Sequence, residues 1–221
     1  MIATISADIV RSTSLQTKDL IMLRKGLVDL FEDIQKDFPG FWARIIRGDS
    51  IECFVPEYRF SLRIAIMIKL FVKMQVGRLD CSELLQRYGI RFSIGIDEIR
   101  YASREEDIID GEAIYLSGRN LDSISREDDV YSSLEIGRFS CSLNYLMDSY
   151  VALLGSLVDS YSAKQAEVIF YKLMGYKERE ISSILGIYQS SVNTRSSNAQ
   201  WRKLQNAIKD FENLNFEVLC G

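Results

Sequence analysis

The sequence predicts an α+β protein in which a ferredoxin-like βαββαβ domain is followed by an all-α helix-turn-helix domain. Over the first 138 residues, segments with alternating apolar and polar side chains are interleaved with segments whose apolar residues recur every three or four positions. From residue 162 onward only the helical spacing remains. We therefore predict a sheet domain over residues 1–138, a linking helix over 139–161 and a helix-turn-helix domain over 162–221.

The first half of the sheet domain is predicted from a strand, a helix and a hairpin. Residues 2–10 alternate apolar and polar side chains, which is typical of a strand. Thr17 is placed to cap a helix, and a Pro-Gly pair at 39–40 ends it. A Gly-Asp pair at 48–49 separates two apolar runs and predicts a hairpin with a type II′ turn. The stripe that this helix would bury comprises Leu20, Leu23, Leu27, Leu30 and Ile34.

The second half is predicted from a long helix, a strand and a shorter helix. Residues 58–86 predict one helix that is buried, because only scattered cations interrupt its apolar residues. Residues 90–97 alternate and predict a half-buried strand. After a polar loop, a last helix and a strand over 131–138 complete the βαββαβ order. The inward residues of that helix are Ile114, Ser117, Leu121 and Ile124.

The last quarter of the chain predicts three helices around a tight turn. A serine–glutamine capping box opens the first helix at Ser162, and Gly175 ends it. A short second helix ends at Gly186. Ser190 can cap a third helix that continues to Phe211. Short helices joined by a few residues that include glycine are typical of a helix-turn-helix.

The third helix would present short polar side chains to a DNA major groove, because the first turns of such a helix reach base edges. Residues 162–209 contain eight Lys or Arg and three Asp or Glu, a net charge of +5, whereas residues 1–161 contain nineteen and twenty-five, a net charge of −6. The simpler alternative to DNA binding is a helical hairpin that caps the domain or mediates dimerisation, with its polar residues in contact with solvent. Candidate DNA contacts are Gln189, Ser190, Ser191, Asn193, Thr194, Arg195 and Asn198, with Arg202 further along the same helix at the phosphates.

Composition narrows the classes of function. The chain has 221 residues, 47% of them hydrophobic, so it can bury a substantial core. No histidine occurs, so any catalysis has to use carboxylates, arginine or metal-bound water. We expect a cytoplasmic protein without a signal peptide or a membrane span. The scattered cysteines argue against a disulfide framework or a zinc site and fit a reducing compartment; they are Cys53, Cys81, Cys141 and Cys220.

Two aspartates of the predicted sheet are candidate metal ligands. Asp8 stands near the end of the first strand, and Asp49 stands at the tip of the hairpin. If those strands are neighbours, the two carboxylates converge at one edge, where they could hold Mg²⁺ or Mn²⁺ against a nucleotide. The simpler explanation is that aspartates favour strand ends and turns, because they hydrogen-bond to their own backbone there.

This layout resembles that of class III nucleotide cyclases. The matching residues are Asp8-Ile9, Gly48-Asp49 and a helix that carries Gly111, Ile114, Ser117, Arg119 and Leu121. The resemblance implies that Asp8 and Asp49 bind metal and that Arg119 contacts phosphate. The two base-selecting positions hold Ile45 and Ile108, and the asparagine position holds Tyr115. These apolar and aromatic substitutions would leave the polar edge of a purine unpaired, which argues against a working purine cyclase.

The C-terminal helices resemble sigma-70 region 4 and LuxR-type DNA-binding helices, through Lys164-Gln165-Ala166-Glu167, Glu180-Ile181 and Leu185-Gly186-Ile187. Nearly the whole chain resembles SatD-type proteins, which combine a cyclase-like domain with such helices. That resemblance implies a bacterial DNA-binding regulator. The segments that match are ISADIVRSTSL (5–15), GDSIECF (48–54), IRFSIGIDEI (90–99) and DGEAIYLSGRNL (110–121).

Three functions stay open at this point. The first is a transcription regulator that binds double-stranded DNA, with the cyclase-like domain sensing a nucleotide or another phosphorylated ligand or forming a homodimer. The second is a divergent metal-dependent nucleotidyl cyclase or nucleotide hydrolase. The third is a structural or assembly module that binds neither nucleotide nor DNA.

Overall fold

The computed structural model describes residues 1–46, 48–124, 131–137 and 142–219. Its strands and helices confirm the predicted α+β class, with a sheet followed by helices. The last residue of the strand predicted over 131–138 and the first residues of the linking helix predicted over 139–161 lie outside the described residues. None of the described helices combines the length and apolar character that crossing a membrane requires.

Five strands form the main sheet, in the order β2-β3-β1-β4-β7. The central strand β1 is antiparallel to β3 and to β4, and β4 is parallel to β7. The first four strands in this order have the ferredoxin-like arrangement, and β7 extends it. The bounds are β1 (Ile2–Ile9), β2 (Trp42–Ile46), β3 (Ser50–Val55), β4 (Ile90–Asp97), β5 (Ile99–Ser103), β6 (Ile108–Gly111) and β7 (Ser132–Ile136).

The α-helices of the described residues divide into those that cover the sheet and those that follow it. α1 (Thr17–Asp37), α2 (Ser61–Val76) and α3 (Glu83–Tyr88) precede β4, and α4 (Glu112–Ile124) precedes β7. The remaining helices are α5 (Ser142–Asp159), α6 (Ala163–Leu173), α7 (Glu178–Leu185), α8 (Gln189–Asn198), α9 (Trp201–Glu212) and α10 (Phe216–Leu219).

Both faces of the central strands are covered. Ala3, Ile5, Ala7 and Ile9 of β1 join the core that α1 and α2 share, as the alternation predicts. On the other face, the hydroxyl groups of Thr4 and Ser6 lie 3.0 and 2.8 Å from that of Ser117 on α4. The prediction of a half-buried strand over 90–97 is therefore wrong, because α4 packs on the second face of β4. A Cβ at Gly95 would lie 2.1 Å from the carbonyl oxygen of Ala113.

The helix predicted over 58–86 is divided, which corrects the sequence analysis. α2 ends at Val76, and α3 starts after Ser82, whose hydroxyl accepts a hydrogen bond from the Leu85 amide. At the break, a Cβ at Gly77 would lie 2.2 Å from that of Ala163, so α6 approaches the backbone there. The break is marked locally by Gly77 after α2 and by the Ser82 cap of α3, which the apolar pattern of 58–86 obscured.

Three smaller predictions also change. α1 begins at Thr17 itself, with Gln16 at its N-cap and no side-chain cap. In the hairpin, Ile46 pairs with Ser50, which leaves three residues in the connection instead of the two of a type II′ turn; Arg47 lies outside the described residues. The polar loop predicted after β4 contains the small hairpin β5–β6.

A buried ionic cluster joins the sheet to the C-terminal helices. The Lys69 ammonium of α2 lies 2.8 Å from a carboxylate oxygen of Asp159, at the end of α5. It also donates hydrogen bonds to the carbonyl oxygens of Tyr88 and Ile90. Lys73, one turn further on, donates to the carbonyl oxygen of Asp159 at 3.2 Å. Both lysine side chains are almost completely buried, so each amine depends on these oxygens in place of water.

This cluster fixes the place where α5 ends and α6 begins. α6 packs along α2, and the apolar residues Ile169 and Phe170 of α6 belong to the same core as the sheet. The ring centroids of Phe170 and Phe71 are 5.9 Å apart. The C-terminal helices are therefore docked on α2 rather than tethered by a linker.

Lys73 should give the stability a characteristic pH dependence. Burial, together with the charge of Lys69, lowers the pKa of Lys73 to about 8. The unfolded chain then binds the lysine proton more tightly, so this group makes the free energy of unfolding rise with pH between the two pKa values. From pH 8 to 10 we expect wild type to gain about 2 kcal/mol relative to Lys73→Met.

Urea unfolding of both proteins at stepped pH measures this difference. The comparison is needed because burial raises the pKa values of Cys53 and Tyr161, which lowers stability at high pH in both proteins alike. If the difference in the free energy of unfolding between the two proteins stayed constant from pH 8 to 10, the lowered pKa of Lys73 would be contradicted.

Candidate nucleic-acid interface

A small apolar core holds α6, α7 and α8 together. Val168, Ile181 and Val192, one from each helix, are completely buried against one another. Leu185 and Ile187 pack on this cluster from the end of α7 and the connection that follows. The three helices therefore form a compact unit in which one side of α8 is fixed by packing.

The ends of these helices are capped much as the sequence predicts. The Gln165 amide donates to the Ser162 hydroxyl, and the Gln165 side chain accepts from the Ser162 amide, so the capping box is confirmed. Lys177 offers α7 no side-chain cap, but its own amide donates to the Glu180 carboxylate at 2.6 Å. Gly175 has the positive φ expected beyond the end of α6.

The connection between α7 and α8 is a tight turn at Gly186. This residue has a φ of +62°, the left-handed conformation in which glycine is least strained. The Ile187 amide donates to the carbonyl oxygen of Ser182, and the Ser182 hydroxyl donates back to the carbonyl oxygen of Ile187 at 2.6 Å. These two bonds fix the direction in which α8 leaves the turn.

The leading turns of α8 are open on one side. Val192 and Ser196 are buried, and Ala199 follows them on the packed side. Ser191 is half-buried, and the Thr194 hydroxyl donates to the carbonyl oxygen of Ser190. The exposed residues of the opposite side are Gln189, Ser190, Asn193, Thr194, Ser197 and Asn198.

Two expectations about this helix are corrected. Ser190 does not cap it, because α8 starts at Gln189 with Tyr188 at the N-cap. The helix predicted to continue to Phe211 breaks at Gln200, whose φ is +53°. The carbonyl oxygen of Ala199 accepts a hydrogen bond from the Tyr161 hydroxyl at 2.6 Å, just before this break. Arg202 therefore lies on α9, where it is exposed, rather than further along α8.

Arg195 is turned away from the open side. Its guanidinium lies 3.6 Å from a carboxylate oxygen of Glu167 on α6, and only 24% of its side chain is exposed. Glu167 also forms an ion pair with Arg78. Arg195 thus joins α8 to α6, which the sequence pattern did not indicate.

Tyr188 and Ser197 are exposed residues of this surface that the sequence pattern did not indicate. Tyr188 is the larger of the two. Its side chain is 84% exposed and stands immediately before the first turn of α8. An aromatic residue at a helix N-cap gives no pattern signal, since the helical spacing starts only after it. Arg202 and Lys203, near the start of α9, are also exposed.

The structure places Asp8 and Asp49 at the same end of neighbouring strands. Asp8 is paired with Ser50 across β1 and β3, and the Ile9 amide donates to the carbonyl oxygen of Asp49. The Asp8 carboxylate accepts from the Ser50 hydroxyl at 2.6 Å and lies 2.9 Å from the Arg91 guanidinium. The Asp49 carboxylate accepts from the Ser12 hydroxyl at 2.5 Å.

These contacts make a poor fit for a resident divalent cation. Arg91 already neutralises Asp8, and a metal would have to displace that guanidinium before both carboxylates could face it. Among the described residues, no group of three or more metal-ligating side chains comes together. The metal site stays a prediction of the sequence.

The other residues of the cyclase resemblance lie on α4, β2 and β6. Arg119 is exposed and lies 2.6 Å from Glu112, beside an open cavity of about 610 Å³ that Arg44, Glu52 and Tyr115 also line. Ile45 packs beside the core that α1 and α2 cover, and Ile108 is exposed on β6. The contacts of Arg119 and Tyr115 do not include Asp8 or Asp49.

Comparison with known proteins leaves the family open. No protein-family model matches the chain, and no curated protein matches it. Two solved structures of a bacterial light-regulated adenylyl cyclase cover 61% of this chain, at TM-scores of 0.42 and identities of 16% and 15%. The chain spans 74% of the first of these proteins and 42% of the second. Similarity at this level assigns the chain neither a family nor a function.

The turn before α8 should be sensitive to the loss of its glycine. A Cβ at Gly186 would meet no atom within 4 Å, so the cost of Gly186→Ala is conformational and amounts to about 1 kcal/mol. Gly118 on α4 is the matched control, because a Cβ there is equally free but the φ is helical. Gly118→Ala should stabilise by about 0.5–1 kcal/mol. Thermal unfolding measures the stability change of each variant. If both substitutions changed the stability in the same direction, the left-handed conformation of Gly186 would be contradicted.

Proposed function

We propose that this protein is a bacterial DNA-binding transcription regulator, in which α7 and α8 form a helix-turn-helix and α8 enters the major groove. The observation that carries the proposal is the open side of α8. Its polar side chains Gln189, Asn193 and Asn198 are exposed, while the opposite side is held by an apolar core. Amide side chains of this kind can pair with the edge of adenine through two hydrogen bonds.

Charge around α8 supports the same partner. Arg202, Lys203 and Lys209 are exposed on α9, which follows α8 directly. The single acid of α6, Glu167, is largely buried and paired with two arginines, which offset its charge. Because phosphate contacts release condensed counterions, we expect the affinity for DNA to fall as salt is raised.

The sheet domain would then regulate rather than catalyse. Arg44 and Arg119 line the open cavity beside α4, where Glu52 and Glu112 hold them. A nucleotide or another phosphorylated ligand would compete with these carboxylates for the two guanidinium groups. We propose a sensor or dimerisation role for this domain on that basis.

Variants of α8 test the central proposal. Asn193→Asp places a negative charge on the exposed side of α8 without disturbing its packed side, so affinity for fragments selected from bacterial genomic DNA should fall at least about tenfold. Asn120→Asp makes the same change on α4, across the sheet from α2 and the helices docked on it, and should leave binding unchanged. Fluorescence anisotropy measures both. Equal affinities for the two variants would argue that α8 does not read DNA.

A metal-dependent nucleotidyl reaction is the second proposal, because Asp8 and Asp49 do stand at the same end of neighbouring strands. Arg91 opposes it by pairing with Asp8. Incubation with each nucleoside triphosphate and Mg²⁺ or Mn²⁺ should give no turnover if the regulator proposal is correct. Turnover that disappears in Asp8→Ala and in Asp49→Ala would instead assign an enzyme to this edge.

A further inference from the structure

The outward side of α5 is an exposed apolar surface. Tyr145, Leu146 and Leu153 are 83%, 64% and 72% exposed, which is unusual for three large side chains on one helix. The inward side is occupied separately, because Met147 and Val151 are buried in the core. α5 therefore buries one apolar side and leaves large apolar side chains exposed on the other.

The spacing of apolar residues along this side is that of a coiled-coil seam. They recur at steps of three, four, three and four, which keeps them along one line of a helix. Leu146 and Leu153 are exposed, whereas the other three members are half-buried and pack against the core. One of those three, Tyr150, also donates a hydrogen bond from its hydroxyl to the carbonyl oxygen of Ala207 on α9 at 2.7 Å. The seam comprises Leu143, Leu146, Tyr150, Leu153 and Leu157.

No charge interrupts this seam. From residue 142 to 158 the chain contains a single charged residue, Asp148. Its carboxylate points inward, where it accepts hydrogen bonds from the Ser133 hydroxyl at 2.8 Å and the Leu134 amide at 2.9 Å on β7. Charge complementarity therefore requires a partner surface that is itself apolar and uncharged.

We propose that the seam of α5 is the interface with a second copy of this chain. The same seam on a second copy is apolar and neutral, and a twofold contact of identical patches is the commonest way in which proteins form homodimers. Leucines at this spacing can pack as knobs into the holes of the facing helix. Ser149 and Ser156, which are small and adjoin the seam, allow the two helices to approach closely.

Other occupants match the surface less well. DNA would require cations, of which the seam has none. A helix that lies on a lipid surface carries lysine or arginine on its polar side, and α5 has no basic residue between 142 and 158.

Sedimentation velocity of the full chain tests the proposal. Wild type should sediment as a dimer, with twice the 25.4 kDa of one chain. Leu153→Glu should raise the dissociation constant of the dimer at least about 100-fold, because it removes two leucines from the contact and buries two charges. Val28→Glu is the matched control, since Val28 is an exposed apolar residue of α1 and its replacement should leave the dimer intact. Circular dichroism should show equal folding of all three proteins.

Two results would overturn the proposal: a monomeric wild type at about 50 µM, a concentration well above the dissociation constants of stable dimers, or a Leu153→Glu variant that stays dimeric. A monomer that floats with phosphatidylserine vesicles would assign the seam to a membrane instead. The outcome is separable from DNA binding, because Leu153→Glu leaves α8 intact. The Leu153→Glu variant should still bind a DNA fragment with one half-site. It should lose the increase in affinity that a fragment with two half-sites gives the dimer.

Discussion

The contact between Lys69 and Asp159 is the constraint on which the arrangement of the chain depends. An ammonium group that is fully buried needs oxygen partners, and removal of one partner of such a pair typically costs about 3–5 kcal/mol. Here the oxygens come from the end of α5 and from the segment that enters β4. The position of the first residues of α6 therefore follows from the position of α2, and the orientation of α8 follows from both.

This dependence connects the two ends of the molecule. A ligand that moved α2 or the segment before β4 would disturb the carbonyl oxygens that hold the lysines, and with them the start of α6. α6 carries Val168 and Glu167, which hold the packed side of α8, so packed elements join the sheet domain to the proposed DNA surface. The seam of α5 lies on the helix that ends at Asp159, before α6 begins.

Much of the fold could be predicted because it depends on local chemistry. The alternation in β1, the stripe of α1 and the capping box at Ser162 each depend on residues that are close together in the sequence. The close approach of Ala163 to Gly77 could not be predicted, because it joins segments far apart in the sequence, and the same holds for the hydrogen bond from Tyr161 beside the break at Gln200. For the same reason the sequence indicated Asp8 and Asp49 correctly as neighbours in the sheet but gave no sign that Arg91 pairs with one of them.

The proposed regulator function requires the open side of α8 to contact DNA. Hydrogen–deuterium exchange of the full chain, with and without a DNA fragment selected by the protein, tests it most directly. If α8 enters the major groove, exchange should be slower in the peptide that covers Tyr188 to Asn198 and in the start of α9, with α4 unchanged. Protection confined to the sheet domain, with α8 exchanging at the same rate in both samples, would contradict it.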